Sequence, residues 1–125
     1  MTTRVLVVDA ANVVGSRPDG WWKDRAGAAQ RLHEQLLVAD LSYDEVVLVV
    51  EGQAKGGVRR GRDGHLRVVH AAGDGDDAIV AEVASAREAG DLVTTVTADR
   101  MLRARVEGLG SQVVGPGWLL GELSG

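Results

Sequence analysis

Five short runs rich in β-branched residues set the frame of this chain: Arg4 to Asp9 (RVLVVD), Glu45 to Glu51 (EVVLVVE), Leu66 to His70 (LRVVH), Leu92 to Thr97 (LVTTVT) and Gln112 to Val114. Their apolar residues are continuous rather than alternating, the pattern of strands buried on both faces, as in a parallel sheet. Parallel neighbours need crossover connections, and the sequence between the runs supplies them. Arg25 to Val38 places Ala29, Leu32 and Leu36 at helical spacing, and Asp77 to Ala89 does the same with Ile79 or Val80, Val83 and Ala86. Arg100 to Glu107 predicts a third helix ended by Gly108 or Gly110, and Trp118 to Leu123 a short terminal one. The resulting order, β-α-β-β-α-β-α-β-α, indicates an α/β sandwich. Gly15 to Asp24 (GSRPDGWWKD) and the glycine- and arginine-rich stretch Gly52 to His65 do not read as regular structure.

At 125 residues the chain has the size of one domain, taken as 1–125, with no linker or internal repeat. Phenylalanine is absent and aromatics make up 3%, so the core must be aliphatic, Val-rich strands under Ala/Leu helices. No apolar run reaches the ~20 residues that span a bilayer, and Met1-Thr2-Thr3-Arg4 leads straight into the first strand, which predicts a soluble cytoplasmic protein without a membrane partner. Cysteine is absent, so thiolate metal sites, disulfides and cysteine nucleophiles are excluded. The net charge of −4 argues against broad electrostatic wrapping of nucleic acid, but its distribution is uneven. Asp9, Glu51, Asp74, Asp76, Asp77 and Asp99 all fall at predicted strand ends or helix starts.

Those positions matter because ligands in open α/β sheets bind beyond the carboxyl ends of the strands. Taken alone, Asp99 or Asp76 is equally well explained as a helix N-cap; together, from four separate segments, the acids describe a pocket of carboxylates. Two carboxylates ~4 Å apart repel by about 4 kcal/mol at an effective dielectric of 20, and a cation or a retained proton must relieve that repulsion. With no cysteine and no histidine pair at ligand spacing, an all-oxygen site suits Mg²⁺ or Mn²⁺. Phosphodiester hydrolysis is the chemistry such a site performs, through activation of water and neutralisation of phosphate charge. Arg17, Lys23 and Arg100 are the candidate phosphate-holding cations, with Arg59, Arg60 and Arg62 if the glycine-rich stretch folds over the site. Trp22, beside Trp21, is the candidate stacking surface for an unpaired base. His33, His65 and His70 lack a partner that would make any of them a general base.

Three other α/β sites fit less well. A dinucleotide-binding fold needs glycines after the first strand, where this chain has Asp9-Ala10-Ala11-Asn12. An aspartyl phosphotransferase would want a second acid at Ala11, and a Toprim-like site, which would use Asp74 and Asp76, a glutamate at the first strand's end.

Several blocks resemble PIN-like and NYN domains, most closely the YacP-like branch: VLVVDAANVVG with its Asp-x-x-Asn signature, VVLVVEGQ, GDGDDAIVAEVAS, and VTTVTADRMLRARVEGLG with its Thr-x-Asp turn. The resemblance implies a three-layer α/β sandwich with a mainly parallel five-stranded sheet of order 3-2-1-4-5 and a metal-dependent ribonuclease. It assigns Asp9, Asp77 and Asp99 as metal-binding catalytic acids, with Asp76 in place of Asp77 if the helix starts one residue differently, Asn12 as the residue that fixes Asp9, and Glu51 as an assisting ligand. The expected partner is single-stranded or structured RNA. A homodimer would lengthen the groove, and an antitoxin-like protein is the partner if the domain is a toxin. A metal-dependent nucleotide phosphohydrolase and a catalytically silent RNA- or partner-binding module are the alternatives left open.

Overall fold

A computed structural model describes residues 2–124; Met1 and Gly125, the two ends of the domain assigned from sequence, lie outside the described residues. Six strands form one sheet: β1 (Arg4–Asp9), β2 (Glu45–Val50), β3 (Gly61–Asp63), β4 (Leu66–His70), β5 (Leu92–Val96) and β6 (Gln112–Val114), in the spatial order β3-β4-β2-β1-β5-β6. All neighbours are parallel except the edge pair β3 and β4. Among the described residues five α-helices accompany them: α1 (Ala10–Gly15), α2 (Arg25–Val38), α3 (Gly75–Glu88), α4 (Arg100–Gly108) and α5 (Pro116–Ser124). Among the described residues no helix is long and apolar enough to cross a membrane.

Continuous apolarity in the strands has the expected cause, since successive side chains enter opposite layers. From β1 and β2, Leu6, Val8, Val46 and Leu48 join Leu32 and Leu36 of α2, Val13 of α1 and Leu119 of α5 on one side. Val5, Val7, Val47 and Val49 meet Ile79 and Val83 of α3 and Leu102 and Val106 of α4 on the other. The five strands expected from sequence keep the order 3-2-1-4-5. The sheet is nonetheless six-stranded, because Gly61–Asp63 turns back at Gly64 and pairs antiparallel with β4, Asp63 opposite Leu66. That strand is three residues long and has no buried residue, which is why hydrophobic patterning does not reveal it.

The helix α1 is the second departure from the sequence reading. AANVVG is short, and β-branched Val13 and Val14 are poor helix formers. Tertiary packing overrides propensity here: both valines are buried, and the Asp9 side chain caps the first turn. Gly15 to Asp24 likewise contains a single 3-10 turn at Trp21–Lys23, whose Trp21 packs against the core. Within the glycine- and arginine-rich stretch, Gly52–Gly57 winds into a 3-10 helix that lies on α2. A Cβ at Gly57 would run into the carbonyl of Ala26, so only glycine allows this approach. The stretch is thus tied down beside α2, with Val58 buried beneath it.

Leu48 is fully buried at the centre of β2, flanked by β1 and β4. Leu48→Ala is expected to lower unfolding stability by about 2–5 kcal/mol. In urea titration this should appear as a reduced midpoint at unchanged slope.

Candidate active site

The carboxyl ends of β1, β2 and β5 and the N-termini of α3 and α4 meet at one edge of the sheet. Asp9, the last residue of β1, is 4% exposed, unusual for an aspartate. Asn12 donates to it twice, from its backbone N to Oδ1 (3.4 Å) and from Nδ2 to Oδ2 (2.9 Å). The Thr97 hydroxyl donates to the same Oδ2 at 3.0 Å. Burial pushes the Asp9 carboxyl up from its ordinary value, and the bonds from Thr97 and Asn12 oppose that rise.

The same residues tie β1 to the turn after β5. Thr97 Oγ1 accepts from the Asp99 backbone N at 3.1 Å, and Asn12 Oδ1 accepts from the Ala98 N at 3.1 Å. Asp99 then caps α4, its Oδ1 accepting from Leu102 N at 2.9 Å. Thr97 is a positioning residue that the sequence reading did not single out; its signal was the Thr-x-Asp turn itself, whose hydroxyl is placed to serve both carboxylate-bearing segments.

Glu51 brings in the second strand. Its Oε2 accepts from the Gly75 backbone N at 2.8 Å, placing a carboxylate against the N-terminus of α3, where the helix dipole favours negative charge. A Cβ on Gly75 would lie 3.0 Å from that carboxyl group, so glycine is what lets Glu51 come this close. Asp74 caps α3 through Asp76 N at 2.8 Å, and this cap sets the phase of the helix.

With that phase Asp76 faces the other acids. Its carboxyl is pushed up to about 6, first by burial and then by the negative charges of Asp99, Asp74, Asp9 and Glu51. Asp77 points elsewhere: its side chain is 74% exposed and pairs with Arg105 of α4 at 3.0 Å. The structure therefore groups Asp9, Glu51, Asp76 and Asp99, with Asp74 at the margin, and leaves Asp77 outside. Helix α3 begins at Gly75, two residues before the start read from sequence, and that offset exchanges the two aspartates. Among the described residues, no three carboxylate or imidazole side chains converge closely enough to enclose an ion unaided.

The expected cations are more dispersed. Arg17 donates to Gln35 of α2 in a surface groove shared with Asp19 and Arg31. Arg59 and Arg60 line another groove with His33, which contains none of the grouped acids, and Arg62 pairs with Glu45. Arg100 is exposed in the first turn of α4, next to Asp99. Lys23 and Trp22 are exposed on the 3-10 turn, Trp22 meeting Trp21 edge-on at 6.0 Å. His65 and His70 are held by the carbonyls of Leu36 and Val58, which gives both structural partners.

No protein-family model matches the sequence, and no curated protein does. Among solved structures, the chain is similar to the crystal structure of Rae1 (YacP) from Bacillus subtilis, with a TM-score of 0.75 and 16% identity. The match covers 99% of this chain and 76% of that one. The two share a fold. It is an α/β arrangement whose parallel strands follow the order expected from the sequence, with β3 as an edge strand beyond the five expected.

Because the folded state holds the Asp76 proton up to about pH 6, against 3.8 for the ordinary side chain, stability linked to this group is complete below about pH 4 and is lost as pH rises through 6. Asp76→Asn should therefore raise the melting temperature relative to wild type at pH 7 in chelator, with the difference shrinking towards pH 4. Equal melting temperatures at both pH values would show that the Asp76 carboxyl is not raised in the folded protein.

Proposed function

We propose that this chain is a divalent-metal-dependent nuclease that hydrolyses RNA phosphodiesters, with Asp9, Asp76 and Asp99 as its principal carboxylates and Glu51 assisting. The observation that carries the proposal is the gathering of four acids from separate segments, with Asp76 raised to about 6 by burial and by its neighbours. Uncompensated repulsion of that kind is an invitation to a cation.

The donor set fits Mg²⁺ or Mn²⁺. It is all oxygen and open, and Glu51 and Asp99 each use one carboxylate oxygen on a backbone N–H, leaving Oε1 and Oδ2 without a backbone partner among the described residues. Mg²⁺ keeps several of its waters and binds through one or two carboxylates, so it needs no closed protein cage. When bound, such an ion supplies an activated water and neutralises charge on the phosphate.

The chain's own residues do the positioning. Asn12 and Thr97 hold Asp9 in one orientation, and the α4 cap holds Asp99. The N-termini of α3 and α4 direct backbone dipoles towards the same edge, favouring anionic groups there. Arg100 is the cation nearest in sequence to Asp99 and is free to reach a phosphate oxygen from the solvent side. The shared fold with Rae1 (YacP) supports the reading at the level of architecture.

Asp76→Asn and Asp99→Asn should lower Mn²⁺-dependent cleavage of labelled RNA by about 100-fold or more, the effect of losing several kcal/mol of transition-state stabilisation. Asp77→Asn should stay within about threefold, because an exposed ion pair contributes only ~0–1 kcal/mol. Mn²⁺ should also raise the melting temperature of wild type and of Asp77→Asn, but not of Asp76→Asn. Nucleoside triphosphates serve as the competing substrate: turnover of these with RNA left intact would make the protein a nucleotide phosphohydrolase.

A further inference from the structure

Beside the acids, on the α2 side of the sheet, lies a cavity of about 380 Å³. Ala10, Ala11 and Val14 of α1 line it, together with Trp21, Gln53 and Ala54. Three of its boundaries belong to the carboxylate site: Glu51 lines it directly, Ala10 follows Asp9, and Gly73 precedes Asp74. Its lining is small and apolar apart from a half-buried indole and the side chains of Gln53, Glu51 and Arg25. The Arg25 guanidinium lies over the Trp21 ring, 5.3 Å from its centroid, while Trp22 braces that ring edge-on.

We propose that this pocket receives one unpaired nucleobase of the strand whose phosphate lies at the carboxylate cluster. The inference rests on the nuclease reading and adds the substrate feature it lacks, a reason to take unpaired rather than duplex nucleic acid. A pocket lined by small apolar side chains and an indole suits a π-face, and base stacking on aromatic rings tolerates any sequence. Arg25 adds a second planar surface for stacking, as guanidinium groups do with unstacked bases. Gln53 offers both a donor and an acceptor to a base edge. The volume sits at the lower end of the ~300–1,000 Å³ of small-ligand sites, room for a single base and its sugar. A base inside a duplex cannot enter, since it is stacked on both faces and paired along one edge. The stacking residue in this arrangement is half-buried Trp21, and exposed Trp22 supports it.

The pocket is tested in Asp76→Asn protein, which relieves the charge repulsion and stops cleavage during the titration. Tryptophan fluorescence is followed on adding a short single-stranded RNA, the same length of abasic strand, and a nucleoside monophosphate. Ala11 is exposed on α1, so Ala11→Leu fills the slot without entering the core, and circular dichroism checks that the fold is kept. The expected result is quenching by the RNA, with affinity reduced about tenfold or more by Ala11→Leu, in the range that loss of one stacked base produces. The abasic strand should bind Asp76→Asn protein no better than the RNA binds the filled variant. A monophosphate that binds as tightly as the RNA would identify a free nucleotide as the source of the base. No quenching, or equal RNA affinity with and without Ala11→Leu, overturns the pocket. Absent cleavage by wild type, with this binding intact, overturns the nuclease reading instead.

Discussion

The buried carboxylate of Asp9 is the constraint around which this site is organised. Removing a carboxylate from water costs several kcal/mol unless it is fully hydrogen-bonded. Here the compensation comes from Asn12 in the first turn of α1 and Thr97 in the turn after β5. Hydrogen bonds to a charged group contribute about 1.5–3 kcal/mol each, so the network offsets much of the cost only if all members hold their places. That requirement fixes α1 against the end of β1 and brings the Thr97 to Asp99 turn alongside it. Asp99 and Asn12 are positioned as a by-product of satisfying Asp9.

Glu51 plays the corresponding part on the other flank, joining β2 to α3 through Gly75. The two links together bring the ends of three strands and two helices to one place. Between them Asp76 has no choice of direction, since α3 is already capped by Asp74 and held by Glu51. Its raised pKa is the electrostatic record of that confinement. The cavity under Trp21 uses the same supports, with α1 as one of its walls and Glu51 shared between the cavity and the acids.

Much of this was legible in the sequence, for identifiable reasons. The parallel strands and α2 to α4 declare themselves because a core built on both faces of a sheet demands uninterrupted valines and helical leucine spacing. Asp9, Glu51 and Asp99 stand out because they end such strands. The choice between Asp76 and Asp77 was not legible, because it depends on where α3 begins, and that follows from a cap at Asp74 and from a long-range bond to Glu51, 24 residues earlier in the chain. The six-residue α1 was hidden by its β-branched valines, whose burial is a tertiary effect. Thr97 looked like one more strand residue, and Trp21 could not be told from Trp22 without knowing which of them turns inward. The glycine- and arginine-rich stretch read equally well as a substrate clamp or as a solvated excursion, and its packing on α2 through Gly52–Gly57 depends on a backbone approach at Gly57 that no sequence pattern reveals.

The short strand β3 has a consequence for the life of the molecule in a crowded solution. A parallel sheet rich in valine presents, at each open edge, a row of unpaired backbone groups ready to recruit another chain. On the β4 side that row is covered by three residues, Gly61, Arg62 and Asp63, too short and too polar to extend the sheet further. Arg62 is also engaged with Glu45, which keeps a charge stationed at the border. At the far side β6 is itself only three residues long. The valine-rich interior is thereby enclosed between two abbreviated borders, a safeguard against runaway strand-to-strand assembly.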